Sequence, residues 1–176
     1  MTVDDISITS EMASLPLKTP FFINAMTGGS EKTKQINEQL ATLARETSLA
    51  MATGSVSIAL KDPSVQDSFT IVRKTNPTGM ILANVGAGSS LEQAQRAIDL
   101  LEANALQIHV NAPQELVMPE GDRDFRYWLE DIAKIASTLS IPVIVKEVGF
   151  GMTRETIQQL IDCGITSIDV SSQGGT

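Results

Sequence analysis

The residues best suited to chemistry lie between positions 109 and 115. His109-Val110-Asn111-Ala112-Pro113-Gln114-Glu115 gathers the only histidine of the chain, two amides and a carboxylate. An imidazole exchanges protons near neutral pH. A carboxylate beside ligand oxygens suits Mg²⁺, a hard cation often shared with a substrate phosphate. A lone histidine is more often a packed core residue, but this company favours a site. Lys146 stands inside the apolar run from Pro142 to Val148. A buried ammonium is costly without a partner, so it should pair with a carboxylate, with Asp169 the candidate, or face an anionic ligand. Glu147 falls on the opposite face and reads as structural. Thr27-Gly28-Gly29-Ser30 follows a strand and precedes a helix. It reads either as a tight turn or as a place where a flat ring or phosphate approaches backbone N–H groups. Gly174-Gly175-Thr176 repeats that arrangement after the last strand, and neither run has dinucleotide or P-loop spacing. Glu120 to Asp124 reads as a solvated loop ending in a helix cap.

The elements that must position these residues alternate. Strands are expected at Phe21–Met26, Leu49–Ser55, Gly79–Gly86, Ala105–Asn111, Pro142–Val148 and Ser167–Ser172. Helices are expected after Ser30, from about Val65, after Ser90, from Phe125 to Leu139, and after Thr153. Ser90-Leu91-Glu92-Gln93 is a capping box. Ala112 to about Asp124 is expected to be a polar loop. Alternation of strand and helix implies a parallel sheet, either an open doubly wound sheet or part of a (β/α)8 barrel. The strand faces decide. Gln107, His109 and Asn111 share one face of their strand, as do Asn84 and Gly86, Ile144 and Lys146, and Asp169 and Ser171. Polar residues near the C-terminal ends of several strands, opposite an apolar helix-facing side, fit a barrel interior. The expected fold is therefore a (β/α)8 TIM barrel, of which residues 1–176 form one domain covering about the first six units. On that count the first and sixth strands are open edges and the chain is a fragment.

Composition narrows the function. Thirteen Lys and Arg against 21 Asp and Glu leave a net charge of -8. That is the wrong sign for a nucleic-acid binder or for docking on anionic lipid. Cys163 is the single cysteine, which excludes a disulfide framework. No apolar run approaches the roughly 18 residues of a membrane span, and the acidic, polar start from Met1 to Met12 is no signal peptide. The default location is cytoplasmic. GxSxG and HExxH are both missing from the sequence, so serine hydrolase and zinc protease are unsupported.

Taken together, the motifs resemble type 2, FMN-dependent isopentenyl-diphosphate isomerase. The segments are Asn24-Ala25-Met26-Thr27-Gly28-Gly29, Thr53-Gly54-Ser55, Asn84-Val85-Gly86, His109-Val110-Asn111 with Gln114-Glu115, Lys146 to Gly151, and Asp169-Val170-Ser171 leading to Gly174-Gly175-Thr176. They come in the family's order, and the Gln-Glu pair after His-Val-Asn is the most specific.

The resemblance implies a TIM barrel that binds reduced FMN and Mg²⁺ and interconverts isopentenyl and dimethylallyl diphosphate, with NADPH serving only to reduce the flavin. By the same resemblance Ala25, Met26, Thr27, Ser55, Asn84, Lys146, Ser171 and Thr176 line the FMN site. His109 and Asn111 sit by flavin and substrate, Gln114 contacts substrate, and Glu115 holds Mg²⁺. The reaction adds a proton at one carbon and removes one from another. No side chain here is an evident strong acid for an alkene, so the flavin itself is the expected acid–base group. Two departures stand out. No basic residue precedes Lys18 to grip the diphosphate, and Val56-Ser57-Ile58-Ala59 stands where many members place an arginine. The chain alone is accordingly expected to be inactive and to bind FMN poorly, with a homo-oligomer as the expected assembly. The competing readings are another FMN barrel such as a hydroxy-acid oxidase, an aldolase-type barrel using Lys146 as a Schiff base, and a non-catalytic fragment that pairs its open edges in an oligomer.

Overall fold

A computed structural model describes residues 2–119 and 121–171. The chain opens with a hairpin of β1 (Ser10–Met12) and β2 (Leu15–Leu17), then alternates strand and helix. The strands are β3 (Phe22–Ile23), β4 (Ala50–Ala52), β5 (Ile81–Gly86), β6 (Ala105–Val110), β7 (Val143–Glu147) and β8 (Ser167–Asp169). The helices are α1 (Glu31–Thr47), α2 (Ser57–Lys61), α3 (Asp67–Thr75), α4 (Leu91–Leu101), α5 (Ala112–Val117), α6 (Trp128–Thr138) and α7 (Arg154–Asp162). Strands β3 to β8 form one six-stranded sheet in sequence order, and each neighbouring pair is parallel.

The sheet is curled. Its edges, β3 and β8, would lie about 24 Å apart in a flat sheet at the usual spacing of about 4.8 Å per strand. Instead the Asn24 side chain, one residue past β3, reaches Asp169 of β8 at 3.3 Å. This is a partial (β/α)8 barrel with β3 and β8 as its edges.

The two faces of the sheet differ as a barrel requires. Outward-facing Met51, Ile81, Ala83, Val85, Leu106, Ile108 and Val145 pack under helix residues such as Phe69, Leu101, Ile135 and Leu160. Inside, Ala50, Ala52, Leu82, Ala105 and Ile144 form a small apolar floor closed from below by Leu17. The hairpin that carries Leu17 was not expected from the sequence. Its turn residues, Ala13 and Ser14, both have positive φ, 51° and 63°, the geometry of a two-residue hairpin turn that usually takes Asn-Gly.

The helix starts follow the expected caps. The Ser30 hydroxyl accepts from Thr33 N–H at 3.2 Å, and Ser90 and Gln93 close the expected box, the Gln93 side chain accepting from Ser90 N–H at 2.8 Å. Thr153 accepts from Thr156 N–H at 3.2 Å. Several expectations need correction. The first strand is only Phe22–Ile23, and β4 stops at Ala52 because Gly54 N–H leaves the ladder for the Thr27 carbonyl, at 2.9 Å. The stretch after Ala112 is not simply loop. Pro113, whose fixed φ suits a first turn, starts helix α5, and the N–H groups of Gln114 and Glu115 donate to the Asn111 carbonyl at 2.9 and 3.0 Å. Helix α6 begins at Trp128 rather than Phe125. Ser172 and the run to Thr176 lie outside the described residues.

Candidate active site

Two polar levels stand above the apolar floor inside the barrel. Parallel register puts Asn84 opposite Gln107 and Gly86 opposite His109. It also puts His109 opposite Lys146 and Lys146 opposite Asp169. The face expected to carry chemistry is thus the interior, and its polar residues rise toward the C-terminal rim. Gln107 is fully buried, and Asn84 and Lys146 nearly so.

The imidazole of His109 is fixed by a 2.8 Å hydrogen bond between Nδ1 and the side-chain oxygen of Asn84. Burial, seconded by the Lys146 charge and only partly opposed by the Glu115 carboxylate and the Val85 backbone, pushes its pKa down to about 4. The ring is therefore neutral at pH 7. Of the two alternatives for Lys146, the ion pair with Asp169 is not formed. The Lys146 ammonium donates to the Glu147 carbonyl at 2.9 Å, and no carboxylate lies within 4.0 Å of it among the described residues. The reason is that Asp169 is engaged elsewhere, by Asn24 Nδ2 at 3.3 Å and by Ser171 N–H at 2.9 Å. Burial lowers the Lys146 pKa, opposed by the Asp169 and then the Glu147 carboxylates.

Glu147 is structural, as expected. One carboxylate oxygen accepts from the N–H groups of Gly149, Phe150 and Gly151 at 2.6, 2.8 and 2.9 Å. Burial raises its pKa, but the N–H donors of Gly151, Gly149, Phe150 and Val148 outweigh that and the net direction is down.

Ser55, His109, Asn111, Gln114 and Glu115 line one groove of about 480 Å³ on the rim. Asn111 Nδ2 donates to Glu115 at 3.0 Å, and Asp122 N–H donates to its other oxygen at 2.9 Å. Among the described residues no three His, Cys, Asp or Glu side chains gather as a metal cage. Glu115 by itself fits a cation that takes its remaining ligands from a bound phosphate and water, the habit of Mg²⁺. A buried ammonium with no carboxylate within 4.0 Å among the described residues fits an anionic ring or phosphate.

The other expected cofactor residues lie elsewhere on the rim. Ala25, Met26 and Thr27 follow edge strand β3; Met26 is exposed, Ala25 packs against the apolar floor, and the Thr27 carbonyl accepts from Gly54 N–H and from Asn37 at 3.2 Å. Ser171 follows the opposite edge and has φ 57°. None of these four lines the groove. Thr176 lies outside the described residues. One groove residue and one residue of the adjoining loop escaped sequence reading. Trp128, within the helix expected from Phe125 to Leu139, buries an indole N–H that has no partner among the described residues and lines the groove near Asp122. Arg123, read as part of a solvated loop, donates to the carbonyls of Glu115, Met118, Gly121 and Asp122 and so ties down the loop after α5. No pattern in the sequence marks either role.

The chain is 56% identical over all 176 residues to an isopentenyl-diphosphate delta-isomerase of Staphylococcus haemolyticus and 57% identical to that of Staphylococcus aureus strain JH9. No protein-family model matches it. In structure it resembles a mandelate oxidase variant with benzaldehyde, at TM-score 0.63 and 16% identity over 99% of this chain and 54% of that one. A mandelate oxidase variant with a monooxide FMN adduct gives TM-score 0.63 at 15% identity. A refolded Pediococcus acidilactici protein assigned as a lactate oxidase gives 0.60 at 19%. These likenesses establish the barrel fold. The chain spans about half the length of the curated relatives it matches, and over all of its own residues it is similar to isopentenyl-diphosphate delta-isomerases.

Proposed function

We propose that this chain supplies half of a type 2 isomerase, the part that carries the flavin-facing rim and the Mg²⁺ carboxylate for interconverting isopentenyl and dimethylallyl diphosphate. The observation that carries the reading is Lys146, a buried ammonium on the barrel's inner face whose one hydrogen-bond acceptor among the described residues is a backbone carbonyl. Such a charge is unfavourable unless an anionic group completes it. When bound and reduced, FMN would supply the proton-transfer chemistry, and NADPH would keep it reduced.

The chain's own residues bind and orient. Lys146, with Asn84 below it and Ser55, Ala25, Met26, Thr27 and Ser171 around the rim, would hold the flavin. Gln114 and Asn111 would position the substrate, and Glu115 would share Mg²⁺ with its diphosphate. His109 is neutral and faces the same groove, so it takes part by hydrogen bonding without adding charge. Leu17 packs against the apolar floor beneath these residues. The chain alone is expected to bind FMN weakly and not to turn over.

Anaerobic titration of the chain with reduced FMN and Mg²⁺, followed by flavin absorbance, tests the flavin site. Saturable binding that Lys146→Met weakens at least about tenfold supports it. Equal affinity of wild type and Lys146→Met overturns it. A fusion of this chain to the uncovered half of the Staphylococcus aureus relative tests the reaction. Dimethylallyl diphosphate is the expected product from isopentenyl diphosphate, and a folded, flavin-loaded fusion that yields none overturns the isomerase reading.

A further inference from the structure

A line of side chains crosses the barrel interior from edge to edge. Asp169 Oδ2 meets Asn24 Nδ2 at 3.3 Å, Asn24 Oδ1 meets Gln107 Nε2 at 3.3 Å, Gln107 Oε1 meets Asn84 Nδ2 at 3.4 Å, and Asn84 Oδ1 meets His109 Nδ1 at 2.8 Å. These residues come from β8, the loop after β3, β6 and β5. Three of the contacts are long and the last is short.

The polarity of the line is dictated at its far end. An ionised carboxylate only accepts, so Asp169 requires the amide nitrogen of Asn24. The orientation of Asn24 is fixed a second time, because its oxygen accepts from the Ala25 backbone N–H at 2.8 Å, and a backbone N–H only donates. Gln107 must then present its nitrogen to Asn24 and its oxygen to Asn84. Asn84 in turn must present its nitrogen to Gln107 and its oxygen to His109. An amide turned the wrong way anywhere in the line would set two donors or two acceptors against each other in a buried site.

We propose that this relay of three amides, anchored on Asp169 and the Ala25 N–H, fixes the tautomer of His109. The proton sits on Nδ1, and Nε2 is left as an acceptor facing the groove. Gly86 keeps that nitrogen clear: a Cβ there would lie 3.5 Å from Nε2. His109 therefore receives a hydrogen bond from an N–H or O–H of whatever occupies the groove, and a ligand that offers only acceptors at that point is rejected. Asn24, Gln107 and Asp169 are positioning residues, acting through Asn84. The tautomer stands on this geometry alone; its use in catalysis rests on the proposed isomerase reading.

His109 is the only histidine of the 176 residues, so ¹⁵N-histidine labelling yields a single imidazole. Long-range ¹H–¹⁵N correlation at pH 7.5 reads its tautomer directly, without ligand or turnover. The expected result is Nδ1–H in about tenfold excess or more over Nε2–H, the size of one buried hydrogen bond. Gln107→Leu, of similar shape, cuts the line and frees Asn84 to turn; the excess should fall severalfold. Ile108→Val, on the outer face of the same strand, should leave it unchanged. A wild-type spectrum dominated by Nε2–H overturns the proposal, as does a folded Gln107→Leu that keeps the full excess. Should Gln107→Leu fail to fold, the wild-type spectrum still decides. Loss of flavin binding with the Nδ1–H tautomer intact would count against the isomerase reading and leave the relay standing.

Discussion

Replacing His109 with Gln should remove a defined part of the acid sensitivity of this chain. In the folded protein the imidazole titrates at about 4, against 6.5 when unperturbed, chiefly because it is buried and then because of the nearby Lys146 charge. The unfolded chain therefore binds the histidine proton first as pH falls. By linkage, the stability tied to the neutral ring is fully present above pH 6.5, is lost between 6.5 and about 4, and is constant below that. At about 1.4 kcal/mol per pH unit, that window is worth about 3 kcal/mol. Glutamine does not titrate and can still meet Asn84. Urea unfolding of both proteins at several pH values between 7.5 and 4 isolates the effect, since the carboxylates common to both cancel in the difference. Wild type should lose about 3 kcal/mol more than His109→Gln over the window. Parallel curves would refute the claim that the imidazole is held neutral inside the barrel.

Three further outcomes follow from the packing. Gly54→Ala should destabilise the chain by roughly 1–3 kcal/mol, because its Cβ would meet the Thr27 backbone at 2.8 Å; thermal melts should show it. Glu147→Ala should destabilise more than Glu147→Gln, because alanine strands the three N–H groups of the Gly149–Gly151 turn while glutamine can still accept from them. Hydrogen exchange at Phe150 and Gly151 should quicken in that order. Lys146→Met should leave stability equal or higher while weakening reduced FMN, since it removes a buried charge that lacks a carboxylate partner; unchanged affinity would contradict the assigned role.

Much of the framework was legible in the residues because it depends on short-range rules. Ser30, Ser90 and Thr153 act as caps, as their spacing to the next apolar run implied, because capping is decided within one turn of chain. Period-two alternation put Gln107 and His109 on one face and Glu147 on the other, and the structure keeps them there. Less legible were elements set by contacts between distant segments. The β1–β2 hairpin has no strong turn signal, and it forms where Leu17 can close the floor of Ala50, Leu82 and Ile144. Strand β4 ends early because the loop after β3 draws Gly54 away. For Lys146 the sequence left an ion pair with Asp169 and an anionic ligand both open, and register does put the two residues side by side. The pair does not form, and Asn24, 145 residues away in sequence, holds the same carboxylate.

What the sequence by itself determined is therefore the order of elements, the polarity of each strand face, and which residues a site would draw upon. The curl of the sheet belongs to the tertiary structure alone. Curling brings Asn24 and Asp169 across from opposite edges, turns three amides into one polarised line, and leaves Lys146 with no carboxylate within 4.0 Å among the described residues. Those outcomes hang on contacts between side chains far apart in sequence, and no local periodicity or propensity encodes them.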